Sequence, residues 1–175
     1  MSTSLPLRVL AIDPIPKGAA FAVFEGEEFL LDWGFKTGGP RSRGLSERIQ
    51  ALIERYAPDV LVLENEKGNG SHRRPSAVRV IGSLRGLAAI RDLRCVALSR
   101  GQVKSSFPIG RRTKREIAEE IALRLSVLEE ALPPTRKWFE SGEDERMSIF
   151  DAAALALAFF ALRRGEFRVD EDRVS

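Results

Sequence analysis

Three short apolar runs near the start of the chain constrain its fold more than any other feature. They span Leu7–Asp13, Ala19–Phe24 and Phe29–Trp33, and residues typical of turns separate them. Apolar runs of this length between turn signals predict β-strands. Because the connections are short, we expect three consecutive antiparallel strands. Pro14 has no backbone N–H to donate, so the pairing of the first strand is expected to stop there.

The rest of the chain alternates between helix and strand patterns, which predicts an α/β fold. We expect a mixed five-stranded sheet, with three antiparallel strands first, parallel additions later, and helices on both faces. At 175 residues the chain fits one domain over residues 1–165, and residues 166–175 are expected to fray. The later predicted strands are Val60–Leu63 and Cys95–Leu98, and the predicted helices are Arg41–Tyr56, Ser76–Arg91, Thr113–Leu132 and Glu143–Arg163, with a helical turn at Gln102–Lys104.

Several classes of protein are excluded by composition. The single Cys95 excludes a disulfide framework and a cysteine metal site, and the single His72 excludes a multi-histidine zinc centre. The longest apolar stretch, Met147–Leu162, is too short to span a membrane and contains Asp151. The N-terminal residues lack the pattern of a signal peptide. We therefore expect a cytoplasmic protein with no membrane partner.

Positive charge is concentrated in the middle of the chain. Between Lys67 and Arg115 there are 13 Lys or Arg residues and one acidic residue, Asp92, although the net charge of the whole chain is only +3. Such segregation predicts a surface that binds a polyanion, and nucleic acid is the favoured partner. The alternative is that these arginines line solvated helix faces.

Three carboxylates occupy positions that the pattern predicts to be buried or partly buried. Asp13 ends the first strand, Glu64 follows the run Val60–Leu63, and Asp151 interrupts an apolar helix. A buried carboxylate must be ion-paired, neutralised or bound to a cation. The alternatives are a turn residue for Asp13, an ordinary strand end for Glu64, and an ion pair with an arginine for Asp151.

Together, these carboxylates predict a metal site. Two of them at strand ends and one on a helix would hold one or two Mg²⁺ ions through oxygen ligands. Asp144, seven residues before Asp151, is a candidate fourth ligand, although its spacing from Ser141 also fits a helix cap. Such ions activate a water molecule and stabilise the leaving oxygen of a phosphodiester. With the basic region, this chemistry favours a nuclease.

With these motifs the chain resembles the RuvC family of Holliday-junction endonucleases, within the ribonuclease H-like superfamily. The resemblance covers nearly the whole chain. It implies a homodimer that binds a four-way DNA junction and makes paired nicks with Mg²⁺ or Mn²⁺. The matching stretches are Leu10–Pro14, Leu63–Glu64, Ile81–Ala88, Gln102–Lys104, Lys114–Arg115 and Asp151–Ala152.

The resemblance also implies roles for individual residues. Asp13, Glu64 and Asp151 would bind the metal, and Lys104 and Lys114 would contact the phosphate near the cleavage point or stabilise its developing charge. Gly82 and Gly86, four residues apart, would let two helices approach closely across the dimer, or would instead pack against the sheet. We expect nucleic acid to contact the basic residues Lys67, Arg73, Arg74, Lys104, Arg111, Arg112, Lys114 and Arg115.

The chain departs from the family pattern at three places. Ile15 replaces a usual glycine, and Ser148 replaces a usual acidic residue. A second metal would therefore be held more weakly, or by Asp144. Lys67, Gly68 and Asn69 stand where the family inserts an aromatic residue. We therefore expect shape-selective binding to the nucleic-acid backbone that weakens steeply with salt.

Two other functions fit the sequence. One is a module of the same fold that binds branched nucleic acid without cutting it, which Ser148 favours. The other is a nuclease for structured RNA, because this fold hosts DNA and RNA nucleases alike. A test of divalent-metal binding distinguishes the non-cleaving module from a metal-dependent nuclease.

Overall fold

The structure is a computed structural model, and it describes residues 5–38, 43–67, 74–108, 113–135 and 144–171. The strands are β1 (Arg8–Ile15), β2 (Gly18–Glu25), β3 (Phe29–Thr37), β4 (Val60–Glu64) and β5 (Arg94–Leu98). The helices are α1 (Arg43–Tyr56), α2 (Pro75–Ile90), α3 (Arg100–Ser105), α4 (Lys114–Arg124) and α5 (Met147–Glu171), with a 3₁₀ helix at Ser126–Ala131 between the last two.

The five strands form one sheet in the order β3-β2-β1-β4-β5. The pairs β1–β2 and β2–β3 are antiparallel, whereas β1–β4 and β4–β5 are parallel. This topology confirms the predicted mixed sheet. β1 lies at its centre, which explains why its apolar run is continuous rather than alternating.

Helices cover both faces of the sheet, as predicted. Val9 and Ala11 of β1 belong to the core that α4 and α5 cover. Leu10 and Ile12 belong to the core under α1 and α2, because successive side chains of a strand point to opposite faces. No helix in the described part of the chain is long and apolar enough to cross a membrane.

Pro14 does not end the first strand. β1 continues to Ile15, and Pro14 pairs with Ala19 of β2. On the other side of β1, the register with β4 ends at the pair Ala11–Val62. Pro14 therefore lies where β1 has a described strand on one side only, and there a missing N–H is tolerated. The prediction that pairing stops at Pro14 is wrong.

The third long helix is shorter than predicted. α4 ends at Arg124, and Leu125 leaves the helical conformation with φ −121° and ψ 83°. The chain continues as a 3₁₀ helix, so the prediction of one helix to Leu132 is wrong. Leu125 and Leu128 remain buried in the same core, which is why the apolar spacing looked continuous.

The last helix is displaced along the sequence relative to the prediction. α5 begins at Met147 rather than Glu143, and it continues to Glu171, past the predicted end at Arg163. Asp144 therefore precedes the helix. Ser141, its proposed capping partner, lies outside the described residues, as do residues 172–175 of the predicted tail. Fraying of residues 166–175 stays a prediction.

Candidate functional site

The fold brings Asp13, Glu64 and Asp151 to one cleft. Asp13 follows Ala11 by two residues in β1, and Glu64 follows Val62 by two residues in β4. Ala11 and Val62 face α5, so the period of two places both carboxylates on that face. Because β1 and β4 are parallel neighbours, their carboxyl ends meet at the same edge of the sheet. Asp151 reaches the cleft from α5, which packs on β1.

Two of these carboxylates are buried. Asp13 is 3% exposed and Glu64 is 5% exposed, and they are the buried charged residues of the described chain. The side chain of Asp151 is 24% exposed, so it is half-buried. Charges at such depth need compensating partners or a bound cation.

Cationic side chains supply part of that compensation. Arg100 donates from Nε to Oε1 of Glu64 at 2.9 Å. Lys114 donates from Nζ to Oδ2 of Asp151 at 2.9 Å. The predicted alternative of an ion pair at Asp151 is therefore realised, with a lysine in place of the expected arginine. Lys104 is exposed and lines the same cleft.

Capped helix starts position Arg100 and Lys114. Arg100 is the first residue of α3, where the side chains of Ser99 and Gln102 each accept a hydrogen bond from the backbone N–H of the other residue. Lys114 is the first residue of α4, which has the same reciprocal cap between Thr113 and Glu116. The cap at Thr113 was predicted from its spacing to Glu116 and is confirmed.

A second cleft adjoins the first and shares Asp13 and Asp151 with it. Asp144 and Ser148 line this second cleft. The Asp144 carboxylate accepts from Nη2 of Arg146 at 2.7 Å, and this contact raises the pKa of Arg146 above its usual value. Asp144 is therefore near the other carboxylates but engaged by an arginine.

The donor set of these clefts suits a hard divalent cation, since carboxylate oxygens are the ligands that Mg²⁺ prefers. Within the described ranges, however, no three His, Cys, Asp or Glu side chains are grouped closely enough to hold a metal ion. Glu64 and Asp151 instead bond to Arg100 and Lys114. The residues thus fit Mg²⁺ by chemistry, and in this structure Glu64 and Asp151 are ion-paired.

Comparison with known proteins identifies the fold. No family model matches the chain, and no curated protein is similar enough in sequence to match it. A structure of Thermus thermophilus RuvC superposes with a TM-score of 0.64 at 20% identity, covering 91% of this chain and 97% of that one. This chain has the RuvC fold. Its mixed sheet with helices on both faces is ribonuclease H-like, as predicted.

Two further structures share the RuvC fold. T. thermophilus RuvC in complex with a Holliday junction substrate gives a TM-score of 0.62 at 18% identity, covering 91% of this chain and 96% of that one. The yeast mitochondrial Holliday junction resolvase Ydc2 gives 0.60 at 14% identity, covering 91% of this chain and 80% of that one. At these identities the comparisons establish the fold.

Some of the predicted nucleic-acid contacts lie at the clefts of this RuvC fold. Arg74 lines the second cleft, next to the start of α2. Lys67 is exposed in the turn after β4. Arg115 instead bonds to Glu119 at 2.7 Å and to the carbonyl oxygen of Pro133. Arg73, Arg111 and Arg112 lie outside the described residues. DNA binding by these residues stays a prediction.

The sequence analysis missed Arg100. It follows β5 by two residues, and Leu98 of β5 pairs with Glu64 of β4. Since parallel strands end at the same edge of a sheet, a cation just after β5 is expected to lie near Glu64. The sequence analysis predicted parallel additions to the sheet but not which strands pair, and no motif marked Arg100.

Gly82 and Gly86 lie on the exposed face of α2. A Cβ atom built at either residue meets no heavy atom within 4 Å in the described chain. Residues on the opposite face of α2, such as Ile81 and Leu84, pack on the sheet. The alternative that the two glycines pack against the sheet is therefore wrong, and a helix pair between two copies of the chain stays a prediction.

Proposed function

We propose that this protein is a metal-dependent endonuclease that cuts branched DNA, such as a four-way junction. The observation that carries the proposal is the shared cleft, in which Asp13, Glu64 and Asp151 stand beside Lys104 and Lys114. Carboxylates suit the metal, and ammonium groups suit the phosphate backbone. The fold adds support, because RuvC and a fowlpox virus resolvase with this fold have been solved with Holliday junction DNA.

In this proposal Asp13, Glu64 and Asp151 hold one or two Mg²⁺ or Mn²⁺ ions. The bound metal would activate a water molecule and stabilise the leaving oxygen of the phosphodiester. Lys104 and Lys114 orient the substrate phosphate and stabilise the charge that develops on it. Asp13 and Glu64 are buried near the ends of β1 and β4, so the sheet fixes their backbone positions.

Recognition in this proposal depends on the shape of the branched DNA. Arg74 and Lys104 are exposed beside the carboxylates and suit the backbone of a bent strand. After Glu64, the next Phe, Tyr or Trp in the sequence is Phe107. We therefore propose binding through phosphates, with an affinity that falls steeply as salt rises. A homodimer would present two clefts to the two strands to be cut.

Cleavage of a synthetic four-way DNA junction tests this function. The native chain is expected to make symmetric nicks in Mg²⁺ or Mn²⁺, and Asp13→Asn is expected to lower the rate by about a thousandfold, as removal of an essential catalytic group does. Asp92→Asn is a matched control, since Asp92 is exposed and has a positive φ of 53°, which asparagine tolerates. It should cut like the native chain.

A non-cleaving binding module is the second candidate. The observations that favour it are the lack of a ready three-residue metal group among the described side chains and the serine at position 148. Tight junction binding without nicks, in the native chain and in Asp13→Asn alike, would establish this module and contradict the nuclease. A four-way RNA junction in the same assay distinguishes the RNA nuclease, which would cut the RNA and spare the DNA.

A further inference from the structure

Arg100 pairs with Glu64, one of the two buried carboxylates of the site. Its Nε bonds to Oε1 of Glu64 at 2.9 Å, and its side chain is 46% exposed while that of Glu64 is 7% exposed. The side chain of Arg100 lines both clefts. A half-exposed arginine thus reaches inward to a buried carboxylate, with its backbone fixed by the cap between Ser99 and Gln102.

An ion pair of this kind opposes the binding of another cation. The positive charge of the guanidinium lies beside the carboxylate and repels a second cation there, so the pair lowers the apparent metal affinity until the arginine moves away. The backbone of Glu64 is fixed, because Glu64 is the last residue of β4 and pairs with Leu98 of β5. The long, half-exposed side chain of Arg100 is the member of the pair that moves.

We propose that Arg100 is an internal competitor for divalent metal, which holds Glu64 in the metal-free protein and whose charge opposes metal binding until it moves away. This inference rests on the proposed function in one respect, the binding of metal by Glu64. Arg100 acts through Glu64 and is a positioning residue. It stabilises the metal-free fold and sets the metal concentration at which the cleft binds metal.

Metal binding without DNA tests this inference. Binding of Mn²⁺ is measured by calorimetry on the native chain, Arg100→Gln, Arg100→Lys and Lys104→Gln. Arg100→Gln is expected to bind Mn²⁺ about tenfold more tightly, because a competing ion pair worth roughly 1.4 kcal/mol is removed. Arg100→Lys keeps the charge and should stay within about threefold of the native affinity.

Lys104→Gln is the matched control. It removes one positive charge from the same cleft, but in the described chain Lys104 forms no ion pair with a carboxylate. Its Mn²⁺ affinity should change by less than about threefold, since an exposed charge is screened. Thermal unfolding with and without Mn²⁺ is the second measurement, and Mn²⁺ should raise the melting temperature of Arg100→Gln more than that of the native chain.

The results of these binding measurements distinguish failure of the competitor role of Arg100 from failure of the proposed nuclease function. Tighter binding in Arg100→Gln alone supports the competitor, as does binding in Arg100→Gln when the native chain binds no Mn²⁺. Native binding with equal affinity in Arg100→Gln, or equal tightening in Lys104→Gln, overturns the competitor and leaves the nuclease standing. Absence of Mn²⁺ binding in every variant overturns both the competitor and the metal dependence of the proposed function.

Discussion

At the scale of single residues, the cleft balances opposite charges. Two buried carboxylates and a half-buried one face the cations of Arg100, Lys104 and Lys114. The cations lower the cost of the buried negative charge when no metal is bound, because a buried ion without a partner costs several kcal/mol. The carboxylates in turn attract a divalent ion. Removing a cation that is paired with one of these carboxylates, or adding a carboxylate beside them, should therefore shift the metal requirement.

Ser148 offers one such change. It lies in α5 three residues before Asp151, and residues at this spacing are neighbours on a helix. In Ser148→Asp a further carboxylate enters the second cleft, and metal affinity rises with the number of charged ligands. The Mg²⁺ concentration for half-maximal junction cleavage is expected to fall about tenfold.

Ser148→Asn is the control, because it has the size of aspartate without its charge. It should leave the Mg²⁺ requirement near the native value. An equal shift in both variants, or no shift in Ser148→Asp, would exclude a metal-binding role for this side of the cleft. The Mg²⁺ dependence of the initial cleavage rate is the measurement.

Site residues could be predicted from the sequence where a charged residue interrupts an apolar pattern. Asp13, Glu64 and Asp151 each end or interrupt a run that had to be buried, so each required a partner. Arg100 lies in a polar segment with no such contrast. Its importance depends on the pairing of β4 with β5, which brings together residues 36 positions apart. Sequence pattern alone does not encode that contact.

At the scale of elements, two short capped helices place Arg100 and Lys114 at the cleft. α3 and α4 each begin with a reciprocal cap, and each carries a cation at its first position. A helix of this length gains little from its own hydrogen bonds, so its cap matters more than in a long helix. The caps therefore hold Arg100 and Lys114 in place.

Thr113→Ala tests this role of the cap. Loss of the hydroxyl removes the acceptor for the backbone N–H of Glu116, 3.2 Å away, and should lower the free energy of unfolding by about 1 kcal/mol. The first turn of α4 then frays, and the cleavage rate should fall severalfold because Lys114 loses its fixed position. Denaturant unfolding and single-turnover cleavage measure the two effects.

Thr113→Ser keeps the capping oxygen and is expected to match the native chain in both measurements. If Thr113→Ala and Thr113→Ser behave alike, the cap does not position Lys114, and the ion pair with Asp151 is sufficient.

The elements were predicted best where one apolar period dominates. The five strands and the helices on both faces followed from such periods. The end of α4 did not follow from the pattern, because the core continues beyond Leu125 while the backbone changes from α to 3₁₀. The local sequence carries no strong helix breaker before Pro133.

At the scale of the whole molecule, the two faces of the sheet serve different purposes. The α5 face carries the carboxylates, whereas α2 on the other face exposes Gly82, Gly86 and the side chain of Ile90, which is 85% exposed. We expect the exposed face of α2 to pair with a second copy of the chain, since small residues let two helices approach closely. Such a dimer would place two carboxylate clefts on one junction.

A plasmid that extrudes a four-way junction from negatively supercoiled DNA tests this account most directly. Two nicks within the lifetime of one complex give linear DNA, whereas one nick relaxes the plasmid and removes the junction. With Mg²⁺ the account predicts linear product from the native chain and uncut plasmid with Asp13→Asn. Gly86→Arg, whose Cβ meets no heavy atom within 4 Å in the described chain, should separate the dimer and give nicked circles. Uncut plasmid, or nicked circles alone, from the native chain would contradict the account.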